Sequence, residues 1–188
     1  MNEKNNIPVN DNLDNDYFIN KITEITTRRQ DALHRPLYAT VRTFGCQMNA
    51  HDSEKLETML LRMGYELSND ETADVILYNT CCVRENAENR IYGHLGYMKN
   101  LKTKTPDIKV IVCGCMAQQS NIAEQIKKHY GFVDLLFGTF NINRFPSLFY
   151  SHLTTGKQII DISENNTEND SLVKIRRHFA KKADINIM

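Results

Sequence analysis

Five cysteines, Cys46, Cys81, Cys82, Cys113 and Cys115, carry most of the chemistry that this 188-residue chain offers. Thiols pair as disulfides, act as nucleophiles, or bind soft metals as thiolates. Five is an odd number, and nothing at the N-terminus marks the chain for an oxidising compartment, so a disulfide framework is not expected. Two of the thiols are adjacent, in LYNTCCVREN, and two are separated by a single glycine, in VCGCMAQ. Neighbouring residues seldom aim at one point, so one thiol of each pair is expected to have the job.

The elements around them decide which. LYATVRTF (37–44) alternates and is rich in β-branched and aromatic residues, the pattern of a strand. ADVILYNT (73–80) and KVIVCG (109–114) are continuous apolar runs of the kind buried on both faces. VDLLFGT (133–139) reads as a fourth strand and QIIDIS (158–163) as a fifth, at an edge. Between them lie helical spacings. Leu56, Met59, Leu60 and Met63 follow a loop, GCQMN, with Asp52 or Ser53 as the cap and Gly64 as the stop. Val83, Ala87, Ile91, Leu95 and Met98 mark a long helix that Pro106 must end. Ile122, Ile126 and Tyr130 mark another, and NRFPSLFYSHL a short one with Pro146 in or near its first turn. Strand alternating with helix at this pace predicts an α/β fold: an open, mostly parallel sheet of about five strands with helices on both faces, in Rossmann-like or flavodoxin-like layers.

In such a sheet, ligands bind beyond the carboxyl ends of the strands. Cys46 follows the first strand, Cys81 the second and Cys115 the third. They are 35 and 34 positions apart, about one strand–helix unit each, so three successive units bring a thiol to the same edge. Cys82 is expected to point into the next helix, and Cys113 to be buried inside its strand as a small apolar residue. Gly45 and Gly114 let the backbone approach a bulky ligand. Three thiolates before helix N-termini suit an anionic, sulfur-ligated centre with one coordination position left open. A zinc ion on the same three would need a fourth ligand or water. Gln47, Asn49, Asn79 and Thr80 stand at the same edge, where they serve either as hydrogen-bond donors to sulfur or as plain loop and capping residues. His51 is read as a solvated helix-start histidine and not as a ligand. Arg84, Glu85, Glu88 and Arg90 form a solvated face, and the basic run KIRRHFAKK (174–182) a solvated segment, although it could touch RNA.

TFGCQMNAHDSEKLETML, ILYNTCCVRENAENR and VIVCGCMAQQ resemble the N-terminal domain of the methylthiotransferases, radical S-adenosylmethionine enzymes that insert sulfur and methylate it. The resemblance covers roughly residues 37–155. The TFGCQMN form, with NTCCVRENAEN and FGTFNINR, is most similar to the branch that modifies tRNA. The resemblance implies a four-iron, four-sulfur (4Fe-4S) cluster held by Cys46, Cys81 and Cys115, with Cys82 and Cys113 as non-ligands. It implies a second 4Fe-4S cluster and S-adenosylmethionine in a barrel domain carrying a CxxxCxxC motif, which this chain does not contain. The implied partners are a sulfur donor and a tRNA whose isopentenylated adenosine beside the anticodon becomes its 2-methylthio derivative. The alternatives are methylthiotransferases that act on threonylcarbamoyl-adenosine in tRNA or on a ribosomal-protein aspartate. Outside the family they are a zinc-binding structural module and a metal-free docking domain.

The remainder bounds the organisation. Residues 1–36 are rich in Asn, Asp and Lys and read as a polar, partly disordered extension, with a loosely held helix at most over Asp16–Ala32. Residues 37–155 form the domain. Residues 156–188 read as a linker, and ADINIM as the opening strand of a further domain, so the chain reads as a fragment not active alone. Formal net charge is zero, so no broad basic field docks nucleic acid by itself. With no apolar run of about 20 residues and no signal peptide, the expected location is cytoplasmic, away from membranes.

Overall fold

The structure, a computed structural model, describes residues 14–81 and 85–163, with the backbone alone for 85–89. The expected strand–helix alternation is present. Its order is α1 (Asn15–Leu33), β1 (Tyr38–Phe44), α2 (Gln47–Arg62), β2 (Glu66–Leu67), β3 (Val75–Thr80), α3 (Glu85–Lys104), β4 (Lys109–Gly114), α4 (Ser120–His129), β5 (Leu135–Phe137), a 3-10 turn (Thr139–Arg144), α5 (Phe145–Thr155) and β6 (Ile159–Asp161). The six strands form one sheet in the order β2-β1-β3-β4-β5-β6, every pairing parallel. The strand missing from the sequence reading is β2. Two residues, Glu66 and Leu67, are too short to leave a period in the sequence, yet they pair with Tyr38 and Ala39.

Side-chain alternation splits the core in two. Val75 and Leu77 of β3, Ile111 and Cys113 of β4, and Leu135 and Phe137 of β5 face one layer with α1, α2 and α5. Ile76 and Tyr78, Val110 and Val112, and Leu136 face the other, under Ile91, Leu95 and Met98 of α3 and Ile122 and Ile126 of α4. That double burial is why β3 and β4 read as unbroken apolar runs. Each such side chain removed from water contributes about 1.5–3 kcal/mol.

Two helices depart from expectation. The first is α1, which is fastened and not loose. Phe18, Ile19 and Ile22 are buried. Thr23, Thr26 and Gln30 donate to the carbonyls of Arg62, Met63 and Gly64 at 3.0, 2.6 and 2.8 Å. α2 itself closes at Gly64, where the Gly64 and Tyr65 N–H groups bond the Leu61 and Leu60 carbonyls at 3.1 Å, and α1 takes up the next three carbonyls of the chain. The second is α2, which starts at Gln47, directly after Cys46, so GCQMN runs into a helical first turn. Asp52 and Ser53, expected as caps, lie inside the helix and are buried. Among the described residues no helix is long and apolar enough to cross a membrane.

Candidate functional site

The strand order reverses between β1 and β3, since β1 runs outward to β2 and the later strands add on the other side. Such a switch point leaves a crevice at the carboxyl edge. The register aligns Phe44 with Thr80, and Thr80 with Gly114. Cys46 lies two positions past this line, and Cys81 and Cys115 one. Cys81 donates its N–H to the Phe44 carbonyl at 2.9 Å, and the Cys115 thiol lies 3.6 Å from the Thr80 carbonyl oxygen. Cys81 is 1% exposed, whereas Cys46 and Cys115 are half-buried. None of Cys46, Cys81, Cys113 and Cys115 is in a disulfide. Among the described residues, no three His, Cys, Asp or Glu side chains gather closely enough to hold one metal ion.

Cys46 is the N-cap of α2, where free backbone N–H groups favour negative charge. Its neighbour at the third helical position is Asn49, whose Oδ1 accepts from the Cys46 N–H at 3.4 Å and from the Cys46 thiol at 3.3 Å. Asn49 Nδ2 donates to Asn79 Oδ1 at 2.9 Å and to the Thr80 carbonyl at 3.2 Å. Asn79 Nδ2 donates to the Asn49 carbonyl at 2.8 Å and to Ser53 Oγ at 3.0 Å. Ser53 Oγ meets Thr43 Oγ1 at 2.7 Å, and Thr80 Oγ1 donates to the Cys113 carbonyl at 2.9 Å. Three of the polar residues expected at this edge, Asn49, Asn79 and Thr80, are therefore brought together. The fourth, Gln47, is exposed and outside the network, and His51 is half-buried on α2. Ser53 joins the network unannounced; its spacing of four from Asn49 puts both on one helix face. Cys113 is fully buried beneath α2, and burial pushes its thiol pKa well up, with Asp52 adding to the effect. Cys82, Arg84, the side chains of Glu85 and Glu88, and the 174–182 run lie outside the described residues.

Gly114 has φ +101°, and a Cβ there would stand 2.3 Å from the Thr80 carbonyl oxygen. Both the left-handed backbone and the missing Cβ are needed. Gly114→Ala is expected to cost about 2–4 kcal/mol. Urea unfolding checks this, and a loss below about 1 kcal/mol would mean that the turn gives way.

A family-wide profile described as "Uncharacterized protein family UPF0004" matches residues 38–138, more than half of the chain. The chain belongs to this family. Within the UPF0004 match lie β1 to β5 and all three strand-end cysteines. The chain is 45% identical over 172 residues to a tRNA-2-methylthio-N(6)-dimethylallyladenosine synthase of Acetivibrio thermocellus, covering 91% of this chain and 36% of that protein. Proteins of the same name from Lachnoclostridium phytofermentans and Caldicellulosiruptor saccharolyticus are 49% identical over 161 residues and 52% over 124. These cover 84% and 65% of this chain, and 35% and 26% of theirs. The chain thus spans between about a quarter and a third of the length of these relatives. The resemblance to the tRNA-modifying methylthiotransferases, read above from three motifs, holds across most of the chain.

The donor set fits a thiolate-ligated iron cluster. It offers three thiols from adjacent strand ends and a helix start behind one of them. Cys46, Cys81 and Cys115 stand just past the ends of β1, β3 and β4, at one edge of the sheet.

Proposed function

We propose that this chain is the auxiliary-cluster domain of a radical S-adenosylmethionine methylthiotransferase. In this reading Cys46, Cys81 and Cys115 hold a 4Fe-4S cluster, and Cys82 and Cys113 do not. A cluster held by three thiolates leaves one iron open to bind or supply sulfur. The chain's own contribution is to place the three thiols at one sheet edge and to keep Cys81 out of water. Catalysis belongs to the whole protein, with S-adenosylmethionine and a second 4Fe-4S cluster outside this chain. Its substrate is the isopentenylated adenosine beside a tRNA anticodon, its further partner a sulfur donor, and its location the cytoplasm. The observation that carries the reading is the delivery of one thiol from each of three neighbouring strand ends to the switch point. The names of the relatives support the tRNA substrate.

Anaerobic reconstitution tests it, with iron and acid-labile sulfide counted per chain. About four of each are expected in the wild type, in Cys82→Ala and in Cys113→Ala. Each of Cys46→Ala, Cys81→Ala and Cys115→Ala is expected to lose most of both. One zinc per colourless chain, or retention of iron by Cys81→Ala alongside its loss in Cys82→Ala, would overturn the assignment.

A further inference from the structure

We propose that Asn49 and Asn79 form a carboxamide clamp that fixes the cysteine-bearing turns relative to one another before any metal arrives. Both are then positioning residues of the centre. The inference rests on the cysteine assignment above and adds residues that touch no metal.

The geometry is specific. Asn49 is 4% exposed and Asn79 fully buried. Through Oδ1, Asn49 holds the turn that carries Cys46. Through Nδ2 it reaches across to the end of β3, at Asn79 Oδ1 and the Thr80 carbonyl, one residue before Cys81. The same Thr80 carbonyl receives the Met116 N–H at 3.4 Å and the Cys115 thiol at 3.6 Å. One carbonyl and one carboxamide thus join all three turns. Asn79 locks the other side by donating back to α2, at the Asn49 carbonyl and Ser53 Oγ. Every polar atom of the two carboxamides has a partner, the condition under which a buried network specifies one arrangement.

Two glycines make room for this pair. A Cβ on Gly45 would stand 2.5 Å from Asn49 Oδ1. A Cβ on Gly114 would stand 2.5 Å from Asn79 Oδ1, besides its clash with Thr80. The glycines beside the first and third ligands therefore each clear space for one asparagine. A simple helix cap explains only the bond from Oδ1 to the Cys46 N–H. It explains neither Nδ2 bond, and neither glycine.

The deciding variant is Asn49→Asp in the metal-free protein. It keeps the capping oxygen and removes both cross-turn donors. Amide hydrogen exchange is followed over residues 114–118 and, as the folding control, over 110–113 in β4. About tenfold faster exchange over 114–118 is expected, with 110–113 unchanged, although the substitution lies more than 60 positions away in sequence. Unchanged exchange over 114–118 would reduce Asn49 to a helix cap and overturn the clamp. If the added charge loosens 110–113 as well, Asn49→Ser takes over, as a neutral cap without amide donors, under the same two outcomes. In reconstituted protein, Asn49→Ser should yield its iron to a chelator about tenfold faster than wild type, and an unchanged rate would count against the clamp. A wild type that takes up no iron would sink the cluster assignment alone, since the exchange result stands without metal.

Discussion

Asp134→Ala is expected to destabilise the fold by about 3–5 kcal/mol, far from the cysteines and with no effect on their chemistry. Asp134 stands at the opposite edge of the sheet, just ahead of β5. It pairs with the Lys102 ammonium of α3 and accepts from the Val110 N–H at 2.7 Å. His152 of α5 faces its other oxygen at 3.4 Å. The three side chains are 12%, 15% and 3% exposed, so water cannot replace what the carboxylate supplies. Without it the Lys102 ammonium keeps one strong acceptor, the Phe132 carbonyl at 2.8 Å, and Val110 loses its partner. Burial already lowers the Lys102 pKa in spite of Asp134. A urea midpoint measures the loss. Removing both charges with Lys102→Met and Asp134→Leu should restore the part of the loss that comes from the stranded charge, while the Val110 N–H stays without its acceptor. A single variant losing less than about 1 kcal/mol would show the trio to be solvated. His152 adds a pH dependence. Burial lowers its pKa below 6.5, so the unfolded chain takes the proton first, and stability falls as pH drops below about 6.5.

Asp52→Asn should do the reverse and stabilise the protein, by about 1–2 kcal/mol at pH 8 and hardly at all at pH 4. Asp52 is 6% exposed on the inner face of α2, and burial raises its pKa to about 6, with Lys55 opposing the shift. The folded state therefore holds this proton between pH 3.8 and about 6 while the unfolded chain releases it. The stability tied to it is full below the lower value and is lost as pH rises through the higher one. Two pKa units correspond to about 3 kcal/mol, from which the cost of burying the replacement amide must be subtracted. Melting temperatures of both proteins from pH 4 to 8 check this. Curves that run parallel would show that the Asp52 carboxyl is not perturbed by the fold.

The sheet was legible because β3 and β4 are buried on both faces, and the rest was not, for reasons of distance. An unbroken run such as VILYNT leaves little choice, and two such runs about 34 positions apart imply a helix between them. The common edge of Cys46, Cys81 and Cys115 followed from that spacing alone. The start of α2 was misread because a cysteine is an unusual cap, and the cue was Asn49 three positions on. The hold on α1 was hidden because Thr23, Thr26 and Gln30 act on carbonyls more than 30 positions away. The Lys102, Asp134 and His152 trio was invisible for the same reason, as no local period records a meeting of three elements. Asn49 and Asn79 were recognised as edge residues, but their bond to each other exists only once the sheet has paired.

The all-parallel pairing has a kinetic consequence. Ala39 pairs with Val75, 36 positions on, and Val75 with Lys109, 34 positions on. No pair of these strands can zip from a tight hairpin turn, so each pairing must close a long loop and bear its entropy before any contact rewards it. The thiols of Cys46, Cys81 and Cys115 become neighbours only when both closures have occurred. A chain in which only one of the two closures has occurred therefore holds at most two of these three thiols at one edge, and the complete set waits on both pairings.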